Sequence, residues 1–192
     1  MIERCVEAPY ETIVNIGCGD GFYAVGFARR MPEVEIKAYD LNADRLEFCR
    51  AMAQKYDVGD RIFIGGQCGA AELNALQGQR ILVVCDIEGG ERELLDPERI
   101  AALREFDILV ELHKVLGAAL PEEVLTRFSE SDDIERIAHQ GRDPYVFKEL
   151  SKASQLDQSL AIWEGPGRHA LGLLACQMPP GIKLPGPEYR IR

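Results

Sequence analysis

Thr12-Ile13-Val14-Asn15-Ile16-Gly17-Cys18-Gly19-Asp20-Gly21 is the stretch that decides the fold. Its first five residues are mostly apolar and β-branched, the composition of a strand buried on both faces. Three glycines at alternate positions follow. A helix-like stretch then runs from about Phe22 to Met31, where Pro32 stops it. Strand, glycine turn and helix start together open a doubly wound α/β domain of the nucleotide-binding kind. Gly17 and Gly19 permit the tight turn and let a ligand lie against bare backbone, where a Cβ would clash. The helix start adds free N–H groups and a partial positive charge.

The spacing discriminates between nucleotides. A dinucleotide turn requires G-x-G-x-x-G, but the third glycine here comes one residue early, at Gly21, and Phe22 fills the dinucleotide slot. Asn15-Ile16-Gly17-Cys18-Gly19-Asp20-Gly21 instead resembles the first motif of class I S-adenosylmethionine (SAM) methyltransferases. That family usually has Asp or Glu where this chain has Asn15. The resemblance implies cofactor contacts at Asn15, Gly17, Cys18, Gly19 and Gly21.

Composition narrows the function classes. The chain has 192 residues and 46% hydrophobic residues, enough for one full α/β domain with a sizeable core. We expect that domain over residues 1–178, followed by a flexible Pro/Gly-rich tail over 179–192. No apolar run approaches membrane-spanning length, and the first residues lack a signal-peptide apolar core. The six cysteines include no C-x-x-C pair, so they are expected as buried, reduced thiols of a cytoplasmic protein. A net charge of −10 with no Lys/Arg cluster argues against a nucleic-acid partner. Only about eleven residues precede the first strand, so no N-terminal helix or lid is expected. The site is then open, or a second copy or another chain covers it.

Going outward along the chain, strands and helices alternate. Glu35–Tyr39, Arg61–Ile64, Ile81–Cys85 and Phe106–Val110 are the next predicted strands, with helices over Ala43–Tyr56 and Ala70–Leu76. A further helix is expected to start at Asp96-Pro97. Such alternation implies right-handed crossovers and a mostly parallel sheet, with ligands beyond the carboxyl ends of the strands. Pro121–Phe128 and Pro144–Ala161 read as helical. Ile134–Ala138 and His169–Cys176 read as late strands that fit an antiparallel hairpin closing a seven-stranded sheet.

The strand ends carry the chemistry. Asp40 lies about twenty residues past the glycine turn, where a carboxylate can accept hydrogen bonds from a ribose diol. Alternatively, Asp40 or Asn42 caps the next helix. Leu41 adjoins it. Gln67 and Cys68 follow the third strand and are candidate contacts to an adenine. Asp86-Ile87-Glu88-Gly89-Gly90-Glu91 follows the fourth strand, and Asp86 and Glu88 would point the same way if the chain stayed extended. Glu111-Leu112-His113 ends the fifth.

These last two clusters resemble the FkbM-type branch of SAM-dependent methyltransferases, which shows an Asp-x-Glu-Gly-x-Glu segment and a later Glu-x-His. The resemblance implies O-methylation of a small-molecule or sugar-type acceptor. Catalysis would fall to His113 as general base, with Glu111 or Glu88 setting its tautomer and Asp86 on the same rim. One alternative places Mg²⁺ or Mn²⁺ among Asp86, Glu88, Glu91 and His113; the other has Glu88 and Glu91 satisfying backbone N–H groups around Gly89-Gly90. Trp163 is a candidate for stacking on the acceptor or, alternatively, a core residue. A nicotinamide-dependent oxidoreductase and a non-catalytic SAM-binding subunit are the competing functions.

Overall fold

A computed structural model describes residues 2–78, 80–113, 120–129, 133–138 and 169–175, with single positions at 148, 152, 154, 155 and 158. The expected tail over 179–192, Cys176, Trp163 and most of the helix expected over Pro144–Ala161 lie outside the described residues.

The chain begins with a short helix α1 (Ile2–Glu7), followed by β1 (Thr12–Ile16), α2 (Phe22–Arg30), β2 (Glu35–Tyr39), α3 (Ala43–Lys55) and β3 (Ile62–Gly65). Next come α4 (Ala70–Asn74), β4 (Ile81–Cys85), α5 (Glu91–Leu94), β5 (Asp107–His113), α6 (Leu120–Phe128), β6 (Asp133–Ala138) and β7 (His169–Ala175). The strands join in the order β3-β2-β1-β4-β5-β7-β6. The first five run parallel, and β7 lies antiparallel between β5 and β6.

The α/β architecture with a parallel sheet follows from burial. All five residues of β4 are buried, as a strand covered on both faces requires. Side chains alternate between faces. Ile13, Leu82 and Val84 pack with Val25 and Phe27 of α2 and Cys49 of α3. Val14, Val83, Cys85 and Ile108 face the opposite core with Leu73, Leu103 and Phe128. Burying each such side chain is worth about 1.5–3 kcal/mol.

Local chemistry fixes the helix ends. Asn42 Oδ1 accepts from the N–H groups of Asp44 (2.9 Å) and Arg45 (3.2 Å), which makes Asn42 the N-cap of α3. Arg61 reaches back to the carbonyls of Ala28 (2.6 Å) and Met31 (3.1 Å), closing the C-terminal end of α2.

Three local expectations are corrected. No helix starts at Pro97; Glu98 N–H donates to Asp96 Oδ1 (3.0 Å) in a turn, and Ala101–Glu105 form a 3₁₀ turn. Strand β5 runs three residues past Val110 because β7 pairs with Glu111, Leu112 and His113. Residues before β1 do form a helix, α1, but it is no lid. Arg4 pairs with Glu135 (2.8 Å), Glu3 pairs with Arg30 at the end of α2, and Tyr10 donates to Asp107 at the start of β5 (2.7 Å). The helix therefore seals the amino-terminal ends of the strands. Among the described residues, no helix is long and apolar enough to cross a membrane.

Candidate functional site

The sheet order reverses between β1 and β4, which makes their carboxyl ends a topological switch point. The glycine turn sits there. Gly17, Gly19 and Gly21 have φ of 77°, 54° and 91°, a left-handed backbone that disfavours any side chain. Their surroundings differ. A Cβ on Gly17 would lie 1.8 Å from the Asp86 carbonyl oxygen, so this glycine lets the turn pack against the end of β4. Among the described residues, a Cβ on Gly19 would meet nothing within 4 Å, so this glycine faces open space. Gly21 rests on α3, where a Cβ would come 3.0 Å from Cys49 Sγ.

Backbone bonds lace the turn to both neighbouring strands. The N–H groups of Gly17 and Cys18 donate to the Tyr39 carbonyl (2.8 and 2.9 Å), and Asp86 N–H donates to the Ile16 carbonyl (2.9 Å). Asp40 completes the lacing from the end of β2. Its Oδ2 accepts from Gly19 N–H (2.9 Å) and its Oδ1 from Asn42 N–H (2.8 Å). The carboxylate is half-buried, and each oxygen has a lone pair beyond these bonds. Of the two capping candidates, Asn42 caps α3, and Asp40 holds the glycine turn instead.

Among the described residues, no side-chain hydrogen bond caps the N-terminus of α2. Leu41, Phe22 and Phe48 are 83%, 72% and 63% exposed, which leaves large apolar side chains in solvent beside Asp40, Gly21 and Cys49 respectively. In the loop after β3, Gln67 is exposed and Cys68 is half-buried against the second core. Burial pushes the Cys68 thiol up to about 12.

Asn15 is placed inside the sheet. It is fully buried, and its Nδ2 makes a long 3.5 Å contact to the Val84 carbonyl. The Oδ1 has no hydrogen-bond partner among the described residues. Asn15 therefore meets the neighbouring strand rather than the open side of the turn. The Cys18 side chain is likewise buried.

The end of β4 does not stay extended. Glu88 has a φ of 55°, and Gly90 N–H turns back to the Ile87 carbonyl (3.4 Å). A left-handed Glu costs about 1 kcal/mol, and it separates exposed Glu88 from half-buried Asp86. Glu91 opens α5 and is fully buried, well apart in environment from Glu88. Among the described residues, no group of three or more His, Cys, Asp or Glu side chains is placed to hold a metal ion. The His113 backbone lies on the part of β5 that outruns β4; its side chain lies outside the described residues.

One feature escaped sequence reasoning. Cys49 reads in the sequence only as an apolar position of an amphipathic helix. In the fold, its sulfur lies under the glycine turn, 3.0 Å from where a Cβ on Gly21 would stand.

No family model matches the chain. A curated relative from Methanobrevibacter smithii, named "Probable cobalt-precorrin-6B C(15)-methyltransferase (decarboxylating)", is 27% identical over 96 residues. That match covers 50% of this chain and 49% of the relative, so it spans about half of each. Solved structures are similar over more of the chain. A precorrin-6Y C5,15-methyltransferase from Geobacter metallireducens has a TM-score of 0.56 at 16% identity, covering 88% of this chain and 81% of that one. A SAM-dependent methyltransferase from Geobacter sulfurreducens, in complex with S-adenosylhomocysteine, has a TM-score of 0.54 at 13% identity, covering 92% and 88%. The fold is therefore the α/β fold of SAM-dependent methyltransferases.

Proposed function

We propose that this chain is a SAM-dependent methyltransferase of FkbM-like type, acting on an oxygen of a small-molecule or sugar-type acceptor. The observation that carries the proposal is the open space at Gly19, beside the Asp40 carboxylate, at the switch point of the sheet. An adenosyl ligand needs bare backbone against its chain and an acceptor for its ribose hydroxyls, and this corner offers both.

When bound, SAM supplies an electrophilic methyl group on sulfur. The chain does the rest. Gly17, Cys18, Gly19 and Gly21 form the cradle, Asp40 accepts from the ribose, and Leu41, Gln67 and Cys68 flank the adenine. Asn15 supports the cradle from below. Asp86 borders the reacting end. His113 removes the acceptor's hydroxyl proton, oriented by Glu111 or Glu88, since an imidazole titrates in the right range. In this reading the chain is one domain over 1–178 that works in the cytoplasm without nucleic acid. Its site is open or covered by a second copy or another chain.

A second reading has a specific motive. Both the Methanobrevibacter relative and the Geobacter metallireducens structure carry precorrin methyltransferase names. It would place the methyl on a carbon of a precorrin-type acceptor. The two readings share the cofactor and part at the acceptor, so a turnover screen of hydroxylated small molecules against precorrins separates them.

Thermal unfolding tests the shared part. S-adenosylhomocysteine at about a hundred times its Kd stabilises by roughly 2.7 kcal/mol. For a chain of this size, Tm should rise by about 5–10 °C, with no rise from NAD. A shift with NAD alone would replace the methyltransferase reading with the oxidoreductase one.

A further inference from the structure

The sheet ends at β3. Among the described residues only β2 pairs with it, so its outer edge is free. Edge strands are usually guarded by a charge, a proline or a bulge that stops another chain from pairing. Ile62-Phe63-Ile64-Gly65 carries no charge and no proline, and its register on β2 is unbroken.

The two faces of β3 differ. Ile62 and Ile64 turn toward α3 and its core. Beside them lies a groove of about 580 Å³, lined also by Arg50 and Gln54 of α3 and by Asp57 and Asp60 of the turn before β3. Phe63 points to the other face. Its ring lies 6.0 Å from that of Tyr39, yet it is 57% exposed. The backbone also has two sides. The Gly65 carbonyl accepts from Asp40 N–H (3.4 Å), on the β2 side. Alternation then turns the N–H and C=O of Phe63 toward β2 and those of Ile62 and Ile64 outward.

We propose that β3 pairs antiparallel with β3 of a second copy, across a two-fold axis at Phe63, joining two sheets into one. The inference rests on this edge and not on the SAM reading. The register favours a second copy over any other strand. A two-fold at Phe63 sets Ile62 opposite the partner's Ile64, and these are the residues whose backbone groups point outward, so each such pair exchanges N–H···O bonds. Phe63 then stands opposite the partner's Phe63 in the non-hydrogen-bonded position, where cross-strand side chains approach most closely, and the exposed ring is covered.

Charge agrees with the same axis. Helix α3 descends from the carboxyl rim of the sheet, so Arg50 sits beside the upper part of β3, while Asp57 and Asp60 lie below its start. None of these three side chains is in an ion pair among the described residues. The two-fold reverses the second copy and brings the partner's Asp60 to the Arg50 end of the groove, and the converse. The surface is thus complementary to itself. Antiparallel pairing also sends the two glycine turns to opposite rims, so neither copy covers the other's turn.

Sedimentation of the full chain from about 1 to about 100 μM reads the assembly. We expect a dimer that dominates at the upper end. Phe63→Lys, Arg50→Asp and Asp60→Arg should each weaken it about tenfold or more while circular dichroism stays that of the wild type, since all three side chains are exposed. Combining Arg50→Asp with Asp60→Arg should restore dimerisation, because the axis places the swapped charges together again. Phe63→Cys, oxidised in air, should yield a covalent dimer that dithiothreitol releases and that the wild type does not form; this variant decides the interface if Phe63→Lys fails to fold. A chain that stays monomeric at about 100 μM overturns the proposal, even where a strand of another protein binds the edge. So does a dimer indifferent to these substitutions, a charge swap that restores nothing, or a Phe63→Cys chain that does not cross-link.

Discussion

Gly17 and Gly19 share a left-handed backbone and differ in what lies beyond the missing side chain. This difference predicts opposite outcomes for the same substitution. Gly17→Ala drives a methyl into the Asp86 carbonyl, a backbone atom that cannot swing aside. It should cost more than about 3 kcal/mol or leave no folded protein, as circular dichroism and urea denaturation would show. Gly19→Ala meets only backbone strain, about 1 kcal/mol, and should fold. It should lose S-adenosylhomocysteine binding, measured by calorimetry, because the methyl enters the ligand's space. The sequence showed both glycines and the turn they form. It did not show which one packs against the end of β4 and which faces open space, since that depends on how closely the end of β4 approaches. Asn15 teaches the same lesson, as strand alternation and pairing with β4 turn it into the sheet.

At the scale of elements, strands β2 and β4 were legible almost to the residue. Ile81–Cys85 has no competing pattern, and Glu35–Tyr39 is bounded by Pro32 and Asp40. Helix α3 was legible from its cap. Asn42→Ala removes the acceptor for two N–H groups and should cost about 1 kcal/mol in urea denaturation. Ligand affinity should change by less than about twofold, because Asp40 takes its bond from the Asn42 backbone, not its side chain. The carboxyl end of β5 was not legible. Glu111-Leu112-His113 looks like a loop because its strand partner, β7, lies more than fifty residues away in sequence. Asp96-Pro97 carries a good helix-start signal, but tertiary packing used it for a turn.

The whole molecule holds several protons more tightly when folded than when unfolded. Burial raises Cys5 to about 11 and Cys68 to about 12, and it also raises Cys85 and Tyr10. Each keeps its proton in the folded chain at a pH where the unfolded chain releases it. Their contribution is therefore complete below the ordinary thiol pKa of about 9 and fades as pH climbs toward 11–12. Under reducing conditions, Tm should fall steadily from pH 8.5 to 11, and Cys5→Ala should make that fall shallower. An unchanged slope would remove Cys5 from the account. The overall α/β plan was visible in the alternation of strands and helices, whereas the role of α1 was not. Its six residues are held by ion pairs to α2 and β6, across more than a hundred residues in the second case, and no local pattern announces them. The contrast at the glycine turn also bears on how such a protein would age. In a lineage that abandoned the ligand, selection for folding alone would keep Gly17, while Gly19 would be free to drift. A relative with Gly17 retained and Gly19 replaced would be the fossil of a lost activity, and the presence of Gly19 in this chain is the better sign of a living one.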